Sequence, residues 1–131
     1  MSRDKRYATY SSLSNNTVEK KTTYKCDTIT DINMRQKCIQ QHKVVCIDLY
    51  ADWCGPCKLI SPDVDKLAHK YNKTGQFILV KENVDSSLPL DCNIDGIPAF
   101  VFYKDGKLVK DKLVIGGDLK KVEQNLLELL K

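Results

Sequence analysis

Two rhythms of apolar and polar positions divide this chain. Residues 44–51, VVCIDLYA, are nearly continuous apolar and β-branched, the signature of a strand covered on both faces, and FILVKENV at 77–84 reads as a second buried strand. Between them, from Pro56 to Asn72, Ile60, Val64, Leu67 and Tyr71 recur at helical spacing. Gly75 supplies the stop, and Pro62 inside the pattern predicts a kink. DINMRQKCIQQH, at 31–42, reads as a shorter helix with Ile32, Cys38 and Ile39 on its apolar face and Thr30 or Asp31 as its cap. TTYKC, at 22–26, is expected to form a short edge strand ahead of it. AFVFY at 99–103 and LVKDKLVI at 108–115 flank Lys104-Asp105-Gly106-Lys107, whose Asp-Gly pair predicts a tight hairpin. The last segment is an amphipathic helix capped by Asp118, with Leu119, Val122, Leu126, Leu127 and Leu130 facing inward.

Strands that alternate with helices pair in parallel, and a terminal hairpin adds antiparallel strands. The expected architecture is an α/β fold: a mixed central sheet of four to five strands flanked by helices on both faces. With 131 residues the chain has room for one domain around a single core. Charge places its boundary. Residues 1–25 carry six Lys or Arg against two acids, whereas residues 26–131 carry fifteen of each sign. The whole excess of +4 therefore lies in a leader rich in Ser, Thr, Asn and Lys, which reads as a flexible basic N-terminal extension ahead of a domain at 26–131. A mitochondrial-type transit peptide and a polyanion-binding tail both fit such a leader. Its arginines are few and it shows no amphipathic stripe, so a plain extension and a cytoplasmic location are preferred. No run approaches the ~18 apolar residues of a membrane span. Neither membrane nor nucleic acid is expected as a partner, and the chain is expected to be a monomer.

Cysteine usage brings in the chemistry. Cys26, Cys38, Cys46, Cys54, Cys57 and Cys92 include one close pair only, which fits a reducing compartment rather than a secreted disulfide framework. That pair sits in ADWCGPCKLI, 51–60, where the first buried strand gives way to the long helix. A helix N-terminus carries unpaired N–H groups and partial positive charge, so a Cys54 thiolate there is stabilised and its pKa is expected below the free value of about 8.5. Cys57, at i+3, lies within disulfide reach. Pro56 in the first turn costs no hydrogen bond and pre-forms the helix start, and Gly55 leaves the backbone beside Cys54 uncovered. The expected reaction has Cys54 attack a substrate disulfide, after which Cys57, a turn deeper, displaces the reduced substrate.

Asp48 is a carboxylate inside an apolar strand, six residues before Cys54. Desolvation is expected to raise its pKa and let it exchange a proton with Cys57 near neutrality. Lys81 holds a similar place in the next strand and is read as its partner; a solvent-facing strand edge is the plainer alternative for both. Gly96-Ile97-Pro98 marks a strand start or a cis turn at the head of the third strand block. Cys46 reads as core, Cys38 as helix face and Cys26 as an exposed or half-buried bystander. Cys92 has the strongest claim to a regulatory role outside the pair, and His69 reads as solvated.

Taken together, W-C-G-P-C-K at 53–58, Asp48 upstream, G-I-P-A-F at 96–100 and the late Gly116-Gly117 resemble the thioredoxin family, over roughly residues 25–131. The resemblance implies a thioredoxin fold and a general protein-disulfide reductase, an electron carrier that acts on disulfide-containing protein substrates and is recharged by a thioredoxin reductase. It implies no cofactor and no metal, only a redox-active Cys54–Cys57 disulfide. Cys54 would be the nucleophile, Cys57 the resolving thiol and Asp48 the buried proton-transfer carboxylate, paired with Lys81. Trp53, Gly55, Pro56, Ile97, a cis Pro98 and Gly116 would line the substrate groove, where the Ile97 backbone binds the target chain as a short strand. Three features depart from the family pattern. Tyr50 stands where Trp or Phe is usual, the link from Asp85 to Gly96 is short enough to reduce the third helix to a turn, and the leader has no counterpart.

Two other functions compete. A structural zinc site would join Cys54 and Cys57 to Cys38 and His42, spaced i, i+4, but leaves the Gly-Pro interior and the tryptophan unexplained. A binding or assembly module, with redox activity secondary, would use the same groove.

Overall fold

A computed structural model describes residues 26–86 and 93–131. Along the chain these form β1 (Thr28–Ile29), α1 (Ile32–Gln41), β2 (Val44–Tyr50), α2 (Gly55–Tyr71), β3 (Phe77–Asn83), β4 (Ala99–Lys104), β5 (Lys107–Leu108), β6 (Val114–Ile115) and α3 (Leu119–Leu129). The strands lie in the order β1-β3-β2-β4-β5, with β6 also on β4. β1, β3 and β2 pair in parallel, while β4 runs antiparallel to β2, β5 and β6. This is the mixed α/β sheet that the alternation of elements implies. The edge strand is Thr28–Ile29; the stretch expected to supply it, 22–26, lies outside the described residues except for Cys26, as do Cys92 and part of the 85–96 link.

Alternation along the strands sorts the core into two layers. Val44 and Cys46 of β2, Phe77 and Leu79 of β3, and Phe100 and Phe102 of β4 face α2 and α3, where Val64, Leu67, Ala68, Val122 and Leu126 close over them. Val45, Ile47 and Leu49, with Val80, Val101 and Tyr103, pack on the other side against Cys38 and Ile39 of α1. The same parity carried to the ends of β2 and β3 sends Asp48 and Lys81 toward α2, and Glu82 toward α1. Register sets Asp48 directly beside Lys81. Glu82 meets Arg35 of α1, whose Nε donates to Oε1 at 3.0 Å while Nη2 donates to Oε2. Side-chain caps hold the helix starts: Asp31 accepts from the Met34 N–H at 2.8 Å and Asp118 from the Lys121 N–H at 3.1 Å.

Two expectations are corrected. The hairpin turn is as predicted, with Asp105 and Gly106 both left-handed (φ 51° and 82°), as a two-residue turn of this kind requires. Its return arm is not one strand over 108–115. A 3-10 turn at Lys110–Lys112 splits it into β5 and β6, so among the described residues the sheet has six strands rather than four to five. The polar Lys-Asp-Lys breaks the apolar run, and Asn125, buried on α3, donates Nδ2 to the Lys112 carbonyl at 2.8 Å and pins the turn to the helix. In α3 itself, Val122, Leu126 and Leu129 are buried while Leu127 is 47% exposed. Leucines at 126, 127, 129 and 130 cover too much of the helix circumference for spacing to choose among them.

Candidate active site

The chain leaves β2 at Tyr50 and enters α2 at Gly55, and Cys54 is the N-cap of the helix. Its backbone is extended and its sulfur accepts the Cys57 N–H at 3.1 Å. That position normally takes an oxygen acceptor because the first-turn N–H groups have no helical partner; a sulfur there sits where negative charge is favoured. Pro56 occupies the first turn, and α2 runs on through Pro62 to Tyr71. Cys54 and Cys57 are joined by a disulfide, with Cα atoms 5.3 Å apart.

Both cysteines are enclosed, in a cluster with Ala51 against Tyr50, Val84 and Ile97. Their exposures, 4% for Cys54 and 6% for Cys57, do not separate a presented sulfur from a deeper one in the oxidised pair. What separates them is their surroundings. Cys54 caps the helix, whereas Cys57 lines a cleft behind it. In front of the pair Trp53 is 69% exposed and is tied by its indole N–H to Asp85 Oδ2 at 2.8 Å. The Ile97–Pro98 peptide is cis, and the Pro98 carbonyl accepts the Gly116 N–H at 2.7 Å. Gly116 has φ 102°, a conformation that favours glycine.

The cleft behind Cys57 has a volume of about 290 Å³ and is floored by Asp48, which is 4% exposed and whose Oδ1 has no hydrogen-bond partner. Burial pushes this carboxyl up to about 7; the Lys81 ammonium works against the rise and the Asp65 carboxylate adds to it. Lys81 does not close on Asp48, although the two stand side by side in the sheet. Its Nζ donates to Ser61 Oγ at 2.8 Å and pairs with Asp65 Oδ1 at 3.1 Å. The expected Asp48–Lys81 pair is thus a pair of neighbours, because α2 offers the ammonium a second carboxylate and a hydroxyl. Cys26 is no bystander. It is buried at the same cleft, its thiol donates to the Leu79 carbonyl at 2.8 Å, and its N–H donates to Asp65 Oδ1 at 3.1 Å. Sequence reasoning missed Ser61 and Asp65. They follow Cys57 at i+4 and i+8, one face of one helix, and that spacing was the available signal.

The energetics of Asp48 give a prediction with a definite sign. Its folded pKa of about 7 lies above the ordinary carboxyl value of 3.8, so the stability it contributes is complete below 3.8 and is lost as pH rises through about 7. Asp48→Asn keeps the shape and removes the charge. It is expected to stabilise the oxidised protein by roughly 2–4 kcal/mol at about pH 8, and hardly at all near pH 4, at about 1.36 kcal/mol per pH unit. Urea unfolding at the two pH values measures this, and an equal gain at both would contradict the origin of the shift in charge burial.

The other candidate groups lie elsewhere. His42 Nδ1 stands 3.0 Å from the Cys38 carbonyl, and Cys38 belongs to the core on the α1 side. With Cys54 and Cys57 bonded to each other, the four-ligand zinc set is not assembled, and among the described residues no group of three or more His, Cys, Asp or Glu is placed to hold a metal. Cys26, Cys38 and Cys46 are free thiols.

Known proteins are similar to this chain in sequence and fold. The sequence model of the family described as Thioredoxin matches residues 15–128, beginning inside the stretch read as leader. Thioredoxin-T of Drosophila melanogaster is 41% identical over 78 residues, 58% of this chain and 48% of that protein, so the chain spans about half the length of this relative. Mitochondrial Thioredoxin-3 of Saccharomyces cerevisiae is 33% identical over 103 residues, 77% of each chain. The crystal structure of oxidised mitochondrial thioredoxin 3 from the same yeast superposes with a TM-score of 0.68 at 31% identity, covering 79% of this chain and 94% of that one.

Proposed function

This chain belongs to the thioredoxin family, and from that premise we propose how its residues divide the reaction. It is a thiol-disulfide oxidoreductase whose redox group is the Cys54–Cys57 pair; the family uses no cofactor. One observation carries the division of labour: Cys54 caps α2 while Cys57 shares its cleft with Asp48.

A reductase delivers two electrons and two protons to the Cys54–Cys57 disulfide. The Cys54 thiolate, held by the first-turn N–H groups, attacks one sulfur of a protein disulfide. The other substrate sulfur leaves as a thiolate and is protonated. Cys57 then gives its proton to Asp48 and attacks Cys54 Sγ, which expels the second substrate sulfur and restores the disulfide. The proton that Cys54 loses on ionisation goes to solvent and is matched by the one the first substrate thiolate takes up. Asp48 then yields its proton to the second thiolate through solvent, so the substrate gains the two electrons and two protons that the pair loses. Lys81 tunes Asp48 from the neighbouring strand. Trp53, Gly55, Pro56, Ile97, Pro98 and Gly116 form the contact surface for the substrate, and the Ile97 backbone, beside the cysteine cluster, receives the target chain as a short strand.

The partners in this reading are disulfide-containing proteins and a thioredoxin reductase, and the chain acts as a monomer. Free buried thiols at Cys26, Cys38 and Cys46 support a reducing compartment, which we read as the cytoplasm; the yeast relative is mitochondrial, and fractionation of cells expressing the full chain decides between the two. The mechanism is tested with Cys57→Ser. Without the resolving thiol the first step stalls, so the variant is expected to accumulate mixed disulfides with protein substrates through Cys54, seen on non-reducing gels and released by dithiothreitol. Recovery of none would overturn the two-step scheme.

A further inference from the structure

We propose that Asp65 is a positioning residue for the proton transfer: together with Ser61 it holds the Lys81 ammonium off Asp48, which leaves Asp48 without a partner until Cys57 offers its proton. This rests on the reading of Asp48 as the acceptor of that proton.

The pairing of β2 with β3 puts Asp48 and Lys81 side by side, an arrangement in which an ammonium ordinarily settles on the carboxylate. Here Nζ instead goes to Ser61 Oγ at 2.8 Å and Asp65 Oδ1 at 3.1 Å, and Asp48 Oδ1 is left buried with no hydrogen bond. Asp65 is itself anchored, because the oxygen that meets Lys81 also accepts the Cys26 N–H at 3.1 Å. Ser61 and Asp65 sit one and two turns beyond Cys57 on α2, so the helix that fixes the resolving sulfur also fixes the ammonium.

The consequence follows from elementary electrostatics. A carboxylate bridged to an ammonium is held in its ionised form and is a poor proton acceptor at neutral pH; one left alone in a desolvated cleft binds a proton readily. The titratable and charged groups lining the cleft with Asp48 are Lys81 from β3, Cys57, Lys58 and Asp65 from α2, Tyr50 and Asp52 at and after the end of β2, and the Cys26 thiol before β1. Lys81 and Asp65 are the charged groups that act on Asp48, with opposite signs. Displacing Lys81 toward Asp48, or removing the Asp65 charge, pushes its titration in the same direction: down.

Asp65→Asn in the full chain is the test, since the amide oxygen can still accept the Cys26 N–H and only the charge is lost. The readouts are the NMR titration of the Asp48 carboxyl in the reduced protein and the acid limb of the pH–rate profile for insulin reduction. Both midpoints are expected to fall by about one pH unit or more. In a Lys81→Met background the same substitution is expected to shift the carboxyl midpoint by less than half as much, because only the direct repulsion from Asp65 then remains and no ammonium is released toward Asp48. An unmoved midpoint in Asp65→Asn, or an undiminished shift without Lys81, overturns the proposal. Should Asp65→Asn fail to fold, Ser61→Ala is expected to lower the midpoint by a smaller amount, and no shift there overturns it equally. Asp48→Asn keeps the two claims apart. If it leaves the acid limb in place, Asp48 is not the acceptor and the underlying reading fails; if it removes the limb while Asp65→Asn shifts nothing, only the positioning role fails.

Discussion

Cys54→Ser is expected to abolish disulfide-reductase turnover, by on the order of a thousandfold or more, while leaving the fold in place. The two halves of that expectation come from the same geometry. Cys54 caps α2 by accepting the Cys57 N–H, and serine is among the best residues for that task, so the helix start survives the change. A serine hydroxyl at this position is not ionised near neutral pH and forms no disulfide, so neither attack nor resolution proceeds. Insulin reduction measures the loss, and urea unfolding of the reduced variant against the reduced parent measures the fold, with a difference within about 0.5 kcal/mol expected. More than a few per cent of residual turnover would mean that another group makes the attack. Retention of biological function when Cys54 and Cys57 are both replaced by serine would point to the groove as a binding module.

Arg35→Ala is expected to cost roughly 3–5 kcal/mol of stability, far more than an ordinary helix substitution. Arg35 and Glu82 are 6% and 3% exposed, and their two-pronged contact bridges α1 to β3. Truncating the arginine leaves a carboxylate with little access to water and removes its guanidinium partner. The double replacement Arg35→Met with Glu82→Leu should lose much less, since it removes both charges and fills the volume with apolar atoms. Urea denaturation of the three proteins checks this; a loss below about 1 kcal/mol for Arg35→Ala would show that the carboxylate finds compensation elsewhere.

The sequence made the elements legible wherever one rhythm of apolar residues dominated. Strands at 44–50 and 77–83 fall within a residue of expectation because runs such as Val44-Val45-Cys46-Ile47 are short, apolar and β-branched; Asp118 caps its helix as expected, and of the two candidates Thr30 and Asp31 it is Asp31 that caps the first. The cysteine pair was legible from local chemistry alone, as strand end, helix start, glycine and proline all agree over residues 50–57. What escaped was decided by contacts across the chain. The choice between Leu127 and Leu129 depends on which side of α3 meets the sheet. The preference of Lys81 for Asp65 over Asp48 depends on where α2 lies above β3, and Cys26 became a cleft residue only when β1 paired with β3. The Arg35–Glu82 pair was invisible for the same reason, since its members are 47 positions apart.

The hydrogen bond from Cys26 to Asp65 sets the practical limit for anyone trimming this enzyme. A recombinant fragment that starts at residue 27 discards the donor, and one that starts at residue 26 replaces a neutral amide with a terminal amine, cationic or not according to pH. The first cut leaves Asp65 without one of its donors and the second puts a new charge against it, so titrations run on such a fragment describe the cut as much as the catalyst.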